Sequence, residues 1–336
     1  MSHVPVTRMA GRCDRRGFLA RLAGASAIAA LGPALAPAAR ALGPSDGIWQ
    51  RIWDADQAER GIPAILADAV GDPEIGYVRI DERAGASPAH RLFAEVLIPE
   101  EKRLTYDLCR TLFDNYRLDQ TRTEETTPLE AQEILALLDA ITDSAPMRLA
   151  RAHLETRQGR SYTRDEWQEV LYAIWFRPFD LGRNRDLSGF EHVVVGEQNG
   201  GEVSGYHFWY KYHLDDLGVL SGEDAIDWEG TRYDGERARD GRLSAQGRAV
   251  PEVATLAHRW HAFDLESGAR RSLRQAIGGF WVGCSVEGLM ALGTVRFFER
   301  GRVEATINGA RYGIDLWRSD DGRSLRTTFP RFLGLA

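Results

Sequence analysis

The chain has 336 residues, 43% of them apolar and 27% charged, a composition that excludes collagen-like and intrinsically disordered proteins. Its basic residues are almost all arginine, so any mechanism that needs a lysine has two candidates, Lys102 and Lys211. The net charge of −7 excludes a general coat of nucleic acid, because an acidic surface repels polyanions, and RNA would need a local arginine cluster.

Residues 1–41 are predicted to be a twin-arginine export signal rather than part of the fold. The segment DRRGFL at 14–19 has the twin-arginine form, a weakly apolar Ala/Gly-rich stretch follows it, and A-x-A cleavage sites end at Ala36 and Ala41. An uncleaved membrane anchor is the alternative, although glycine and proline interrupt the uncharged stretch 22–39. We expect an exported protein, periplasmic or extracellular, with no membrane contact after cleavage.

Residues 42–185 are predicted to be a helical region. An apolar side chain at every fourth position predicts one helix over 99–120, with one face formed by Leu104, Leu108, Leu112 and Tyr116. Thr127 and Thr163 each precede a glutamate by three residues and then an apolar run, which predicts two capped helix starts. A short helix is also expected over 147–154.

Residues 186–336 are predicted to form an antiparallel sheet, which makes the fold class α+β with a helical region first. Short β-rich runs broken by glycine predict the strands His192–Val195, Leu273–Val282, Val295–Phe298, Arg302–Ile307, Ala310–Trp317 and Leu325–Phe329. The pairs Asn308-Gly309 and Asp321-Gly322 are typical of hairpin turns. The acidic, glycine-rich stretch 217–247 is predicted to be an exposed loop excursion.

Two cysteines, Cys109 and Cys284, follow the export signal. In an oxidising compartment they could form a disulfide. The interpretation that we favour is two buried free thiols, because one lies in a helical pattern and the other in a predicted strand, and nothing in the sequence brings them together.

The residues with the clearest catalytic chemistry are two histidines, His192 and His207. They lie 15 residues apart in FEHVVVGE at 190–197 and VSGYHFW at 203–209, and a glycine-bearing turn between the two segments could bring the rings together. Alternation along the predicted strand places His192 on one face and Glu191 and Glu197 on the other. Paired imidazoles can act as general acid and general base near neutral pH, although a single histidine is usually structural.

A metal site is the rival interpretation of the same segment. Two histidines with Glu191 or Glu197 could ligate zinc or manganese, but the chain has no H-E-x-x-H or C-x-x-C spacing. It also lacks a Walker loop, a G-x-S-x-G elbow and a dinucleotide fingerprint, which argues against the enzyme classes that those motifs define.

At these histidine segments the chain resembles the EndoU family of the XendoU type, the uridylate-specific endoribonucleases. The family's F-E-H-V-F-V-G-E corresponds to 190–197, and its V-S-G-F-H-N-W to 203–209. Further matches in the helical region are Ile52–Asp56, Thr105–Tyr116, Met147–Leu154 and Leu171–Phe176. The resemblance covers nearly all of the chain after the export signal and implies an α+β fold of EndoU type.

The resemblance implies manganese-stimulated cleavage of single-stranded RNA at uridylates, leaving a 2′,3′-cyclic phosphate and a 5′-hydroxyl. It implies that His192 and His207 take the two proton-transfer roles, and we favour His207 as the base. Glu191 and Glu197 match acidic residues that the family needs, either to orient other groups or to hold a metal, and a structural salt bridge is the alternative. We expect a monomer, and whether an inhibitor protein exists is open.

The sequence departs from the family at the catalytic lysine, whose position is taken by Gln275. Two cations are candidates to replace that lysine. Arg274 is adjacent but would face the other way on a regular strand unless a bulge re-aims it. Lys211 follows His207 by four residues, one turn along a helix face, and is the second candidate.

The base-binding end departs as well. The resemblance expects a T-x-Y-P strand, and here 327–330 reads Thr-Thr-Phe-Pro, so that Phe329 lacks the tyrosine hydroxyl. Gly279 stands where a small hydroxyl residue is expected, and both changes weaken selection for uridine. Stacking on Phe329 or Trp281 would still hold a base. The predicted substrate-binding residues are Gly279, Trp281, Ser285, Thr328 and Phe329.

Three hypotheses remain from the sequence. The leading one is an exported endoribonuclease that acts through His192 and His207. The second is an RNA-binding protein that has lost cleavage, for which Gln275 is the main evidence. The third is related phosphodiester chemistry on another exported substrate.

Overall fold

The computed structural model describes residues 47–81, 83–84, 86–87, 90–232 and 252–336, all within one unit of the chain, Ser45–Ala336. The predicted export signal at 1–41 lies outside the described residues. Among the helices of the described ranges, none is long and apolar enough to cross a membrane.

The first half of the described chain is mainly helical. Its helices are α1 (Ile48–Glu59), α2 (Arg103–Thr111), α3 (Pro128–Ile141), α4 (Ala145–Gln158) and α5 (Arg164–Trp175). A small sheet of β1 (Ala64–Leu66), β2 (Tyr77–Ile80) and β3 (Phe93–Leu97) interrupts this region, with β1 parallel and β3 antiparallel to β2.

The second half contains two larger sheets and two further helices. Its elements are β4 (Phe179–Leu181), β5 (Asn184–Leu187), a π-helical turn (Glu191–Val195), β6 (Glu197–Asn199), β7 (Glu202–Ser204), α6 (Trp209–Asp216), β8 (Ile226–Arg232), β9 (Val253–Asp264), β10 (Ala269–Trp281), α7 (Val286–Phe298), β11 (Glu304–Ile307), β12 (Ala310–Arg318) and β13 (Leu325–Leu335).

The sheet pairing is mostly antiparallel, as predicted. The five-stranded sheet has the order β6-β7-β10-β9-β8, with one parallel pair between β7 and β10. The three-stranded sheet β11-β12-β13 is antiparallel throughout, and the pair Asn308-Gly309 closes its first hairpin with two positive φ angles. The α+β class is therefore confirmed.

Both predicted capped helix starts are confirmed. The Thr127 and Thr163 side chains accept hydrogen bonds from the backbone N–H of Glu130 and Glu166, whose carboxylates accept from the threonine N–H groups in return. These reciprocal bonds satisfy donors that a helix start otherwise leaves unpaired, so local sequence alone defines where α3 and α5 begin.

The single helix predicted over 99–120 is wrong. Helix α2 ends at Thr111, and Leu104 is 54% exposed rather than on the buried face. Tyr106 and Cys109 are buried although they lie outside the predicted face, whereas Leu108, Leu112 and Tyr116 of that face pack in the core as predicted. Packing against neighbouring elements therefore outweighs a four-residue apolar repeat in this region.

Two predicted strands are helical. His192–Val195 lies in the π-helical turn, and Val295–Phe298 is the last turn of α7. Helix α7 is buried along its length and packs against α1, α4 and β13, so apolar β-branched residues are accepted there without forming a strand. The predicted loop excursion at 217–247 contains strand β8, and its residues 233–247 lie outside the described ones.

The two cysteines are buried and free, which is the interpretation that we favoured. Cys109 lies on α2, and Cys284 precedes α7, where its carbonyl accepts a 2.7 Å hydrogen bond from Trp209 Nε1. Burial raises the pKa of both thiols well above the usual range, so both are expected to remain protonated and unreactive.

We predict that Thr163→Ala lowers the free energy of unfolding by about 1 kcal/mol, because it removes the cap of α5. The melting temperature should fall by about 2 °C in a chain of this size. The matched control is Thr156→Ala, an exposed threonine within α4 whose hydroxyl donates to the Ala152 carbonyl. Urea unfolding of both variants checks this, and an equal loss in the two would contradict the capping account.

Candidate active site

His192 is held by a π-helical turn rather than a strand. The Glu191 N–H donates to the Ser188 hydroxyl and the Ser188 N–H donates to the Glu191 carboxylate, both at 3.2 Å. Gly196, with a φ of 88°, then turns the chain so that Glu197 folds back onto the histidine. The His192 Nδ1 to Glu197 Oε2 distance is 2.9 Å. The predicted placement of His192 and Glu197 on opposite faces is therefore wrong.

His207 is placed by two residues in the left-handed region, Gly205 and Tyr206, with φ angles of 74° and 68°. The N–H of Tyr206 donates to the His192 carbonyl at 2.7 Å, and the N–H of His207 donates to the Val193 carbonyl at 2.6 Å. These two bonds attach the segment directly to the π-helical turn. As a result, the two imidazole centroids lie 6.2 Å apart.

Both imidazoles are oriented through Nδ1. His207 Nδ1 lies 2.9 Å from the carbonyl oxygen of Gly279, which can only accept, so this nitrogen is the protonated one. His192 Nδ1 lies against the Glu197 carboxylate, which also only accepts. On both rings Nε2 is therefore the nitrogen left for a substrate, which is the arrangement that a proton donor and a proton acceptor need.

Glu197 is fully buried and carries a second partner, Arg326. The guanidinium donates to both carboxylate oxygens, at 3.0 and 2.8 Å, and also to Gln120 Oε1 at 2.9 Å. Burial opposes ionisation of Glu197, but His192 and Arg326 outweigh it and lower its pKa to about 2. The carboxylate beside His192 is therefore charged at any working pH.

Glu191 lies in the same buried cluster but has the opposite charge state. Burial, followed by repulsion from Glu197, raises its pKa well above the usual range. One arginine cannot balance two carboxylates, so the charge is placed on Glu197 and Glu191 is protonated. The role of Glu191 is to cap the π-helical turn through Ser188.

The two histidines differ in proton affinity. Burial, strengthened by the positive charge of Arg326, lowers the pKa of His192, and the Glu197 carboxylate opposes that change. Burial also lowers the pKa of His207, to about 3, with repulsion from His192 as the second cause and only the Gly279 carbonyl opposing it. Of the pair, His192 is the histidine with a charged partner that stabilises its protonated form.

Gln275, which the resemblance predicts to stand at the position of the family lysine, is buried, and both ends of its amide are engaged. Its Nε2 donates to the Gly205 carbonyl at 2.8 Å, and its Oε1 accepts from the Tyr212 hydroxyl at 2.8 Å. The amide therefore braces the segment that carries His207. It supplies no charge to the site.

Neither cation predicted to replace the lysine does so. Arg274 pairs with Glu229 at 2.7 Å on the outer face, and the bulge in β10 falls after it, between Gln275 and Gly278. Lys211 pairs with Asp215 at 2.5 Å.

The prediction that Lys211 reaches the site requires His207 and Lys211 to lie on the same helix. Helix α6 begins at Trp209, after His207, so this requirement is not met. The Lys211 ammonium lies 5.3 Å from the centre of the Tyr206 ring, and Asp215 also accepts from the Tyr206 hydroxyl. Lys211 therefore stabilises the left-handed Tyr206 that precedes His207, and its role is structural.

Of the predicted substrate-binding residues, Gly279 and Phe329 lie at the histidines. The Gly279 carbonyl orients His207, and the Phe329 ring centre lies 4.7 Å from the His207 ring. The other three predictions are wrong because their groups are used elsewhere. Trp281 packs in the core on Trp53 and Tyr312, Ser285 caps α7 and binds Asp56, and Thr328 donates to the Asp315 carbonyl.

Three residues near the site were missed by the sequence analysis. Thr327 is buried on the Phe329 face of β13, and its hydroxyl has no hydrogen-bond partner among the described residues. Trp317 is 55% exposed and stacks on Phe329 at 5.9 Å. Arg326 is the third. The alternation of β13 could have identified Thr327, but no local pattern marks Arg326 or Trp317.

The described residues contain no group of three or more His, Cys, Asp or Glu side chains placed to hold a metal ion. Glu197, the strongest candidate ligand, has one oxygen bonded to Arg326 and the other shared between Arg326 and His192. The residues at the histidines therefore do not fit a metal. Manganese stimulation stays a prediction without assigned ligands.

The site has two buried imidazoles whose Nε2 atoms have no hydrogen-bond partner among the described residues, with a charged carboxylate at one ring and an aromatic ring beside the other. These are the groups of a general acid–base site. The sequence model of the family described as Endoribonuclease XendoU matches residues 48–330, and the chain belongs to this family of endoribonucleases. The resemblance stated from the histidine segments is thereby confirmed.

Individual relatives agree with the family assignment. A Poly(U)-specific endoribonuclease of Xenopus tropicalis is 27% identical over 299 residues, covering 85% of this chain and 92% of the relative. Uridylate-specific endoribonuclease C of Danio rerio is 30% identical over 239 residues, covering 68% of each chain. A solved structure described as XendoU, a splicing independent snoRNA processing endoribonuclease, superposes with a TM-score of 0.64 at 25% identity, covering 86% of this chain and 97% of its own.

We predict that Gly205→Ala abolishes the arrangement of the two histidines. A Cβ at this position would overlap the backbone carbonyl of His192, and the φ of 74° is itself unfavourable for alanine. A displacement of this kind should reduce RNA cleavage by about 10²-fold or more.

The matched control is Gly200→Ala, which has a similar φ of 63° but no atom within 4 Å of the added Cβ. This variant should retain activity and lose only a little stability from backbone strain. Equal activity of both variants in a cleavage assay would show that the close approach of Gly205 to His192 does not matter.

Proposed function

We propose that this protein cleaves single-stranded RNA at uridylates by transesterification, leaving a 2′,3′-cyclic phosphate and a 5′-hydroxyl. The observation that carries the proposal is the pair of imidazoles 6.2 Å apart, each fixed through Nδ1, with no partner for either Nε2 atom in the part of the chain that the structure describes. The names of the relatives, poly(U)-specific and uridylate-specific endoribonucleases, support uridylate as the preferred site.

His207 is the general base in this proposal. Its Nδ1–H donates to the Gly279 carbonyl and burial keeps its pKa at about 3, so Nε2 is unprotonated near neutral pH. Nε2 accepts the proton of the ribose 2′-hydroxyl as the 2′-oxygen forms its bond to phosphorus. A base of low proton affinity is always available but is weak, which limits the rate of this step.

His192 is the general acid. Glu197 is charged and holds its Nδ1, so the carboxylate stabilises the protonated ring. The Nε2 proton passes to the 5′-oxygen as the bond between that oxygen and phosphorus breaks. The 2′-oxygen attacks and the 5′-oxygen departs, so the protons and bonds balance without a covalent intermediate on the protein.

The phosphate charge is poorly compensated, and for this reason we propose a catalytically weak enzyme. Gln275 is neutral and engaged at both ends, Arg274 pairs with Glu229, and Lys211 pairs with Asp215. A charge-assisted hydrogen bond is about twice as strong as a neutral one. The same observation supports the second candidate, an RNA-binding protein of this fold that has lost cleavage.

Base selection in the proposal rests on stacking more than on hydrogen bonds. Phe329 lies beside His207, and Trp317 extends the row of rings to the surface. Aromatic stacking accepts every base, and without the hydroxyls expected at Gly279 and Phe329 the preference for uridine is expected to be modest. Thr327, whose hydroxyl has no hydrogen-bond partner among the described residues, is a polar group on that face, which also carries Asp315 paired with Arg331 at 3.1 Å.

The setting of the reaction is proposed from the sequence. The twin-arginine segment at 14–19 supports export to the periplasm or beyond. Manganese stimulation is carried over from the resemblance, and a monomer is proposed as the state of the protein.

The central assay uses fluorogenic RNAs that contain one U, C, A or G, with and without manganese, for the protein and for His192→Ala. We expect slow cleavage with a cyclic phosphate product, a modest preference for U, and loss of activity in the variant of about 10²-fold or more, because the proton donor is removed. If both proteins bind RNA and neither cleaves it, the RNA-binding alternative replaces the enzyme.

Gln275→Lys tests the missing charge. We predict that this variant cleaves RNA about 10²-fold faster, because one charged donor aimed at a developing oxyanion contributes about that much. The control is Gln275→Met, which keeps the volume without the amide and should loosen the segment of His207. An unchanged rate in Gln275→Lys, in a protein that melts at the normal temperature, would contradict the view that charge limits catalysis.

A further inference from the structure

We propose that Arg326 is a positioning residue that sets the proton affinity of His192 through Glu197. Arg326 touches neither imidazole in the hydrogen-bond network, so it acts on the proton donor only through the carboxylate between them. The inference rests on the proposed function in one respect, the role of His192 as general acid.

The geometry around Glu197 supports this role. The guanidinium spans both carboxylate oxygens, and Oε2, the oxygen that contacts His192 Nδ1, is 2.8 Å from Arg326. All three side chains are buried, with at most 9% of any of them exposed. Oε2 is therefore shared between the Arg326 guanidinium and the His192 ring, which is cationic when protonated, in a site that water does not screen and where charges interact most strongly.

Arg326 is itself fixed from a third element. Gln120 Oε1 accepts its remaining bond at 2.9 Å, and the Gln120 backbone is held by Gln198 and Arg185. The fork of donors on a guanidinium fits this carboxylate and amide pair, and a lysine ammonium could not reproduce that geometry. The direction of Glu197 towards His192 is thus determined by contacts outside the histidine segments.

The charged and titratable groups near His192 are few. Glu197, Arg326 and His207 interact with it directly, while Glu191 and Glu124 interact with Glu197. Glu191 has its pKa raised well above the usual range, and burial raises the pKa of Glu124 to about 7. Arg326 is therefore the main positive charge acting on the Glu197 and His192 pair.

The consequence is a more acidic proton donor. A carboxylate alone would raise the pKa of its histidine and make the ring a reluctant donor. Arg326 takes up part of that carboxylate charge and itself repels a proton on His192, so it lowers the pKa of the ring. Arg326 thus keeps His192 oriented by Glu197 while still allowing it to release its proton.

The test measures the titration of His192 by NMR and the pH dependence of kcat/KM in the full chain and in Arg326→Met and Arg326→Lys. In the unaltered protein the alkaline limb, which reports the general acid, should lie below the ordinary histidine value of 6.5. In Arg326→Met we expect the limb and the NMR titration to move up together by about one pH unit, with kcat reduced and KM unchanged.

Arg326→Lys separates charge from geometry. It keeps the positive charge, so the limb should stay within about 0.3 pH unit of its original position, while the loss of the two-point contact lowers kcat. The matched control is Arg177→Met, which removes another two-point pair, with Asp321 at 2.9 and 3.0 Å, away from the histidines. In this control the alkaline limb of the kcat/KM profile should not move.

An unmoved His192 titration in a folded Arg326→Met protein, with kcat reduced equally at every pH, would overturn the proposal. If Arg326→Met does not fold, kcat is compared instead between Glu197→Gln and the double variant that carries both Glu197→Gln and Arg326→Lys. In the Glu197→Gln background, Arg326→Lys should not lower kcat further, because the carboxylate through which Arg326 acts is gone. If Arg326→Lys lowers kcat as much in this background as in the unaltered protein, the proposal is also overturned. NMR measures the titration of His192 without any need for RNA cleavage. If the protein cleaves no RNA, the proposed function is wrong, but the NMR titration still tests the effect of Arg326 on His192.

Discussion

The buried pair of Arg326 and Glu197 is the interaction on which the site depends. Removing either partner would leave an uncompensated buried charge, at a cost of about 3–5 kcal/mol. The pair joins β13, the first residue of β6 and the segment that carries Gln120. His192 is therefore correctly oriented only when the three-stranded sheet has docked on the rest of the fold, which couples the catalytic geometry to folding.

In the proposed mechanism the two histidines take different roles because different groups hold their Nδ1 atoms. A charged carboxylate holds His192 and stabilises its protonated form, whereas a neutral carbonyl holds His207. Gln275, Lys211 and Asp215 serve the second arrangement, since they brace Gly205 and Tyr206 rather than contact a phosphate. Lys211, one of the two cations expected to supply charge to the reaction, is thus a structural support for His207.

Local sequence predicted the features that local contacts determine. The capping boxes at Thr127 and Thr163 and the turn at Asn308-Gly309 involve neighbours in the chain and formed as expected. Partners distant in sequence were missed. Arg326 and Glu197 are 129 residues apart, and nothing near either marks the contact. The run of valines after His192 predicts a strand, but the Ser188 and Glu191 cap makes a helical turn there instead.

The central claim is that one histidine carries the proton while the other accepts it at the same pH. Long-range ¹H–¹⁵N NMR of the two rings, assigned with His192→Gln and His207→Gln, measures this directly. The account predicts that His207 stays in the neutral form with its proton on Nδ1 from pH 7 to pH 5, and that His192 takes up a proton first as the pH falls. If His207 became protonated before His192, the assignment of acid and base would be contradicted.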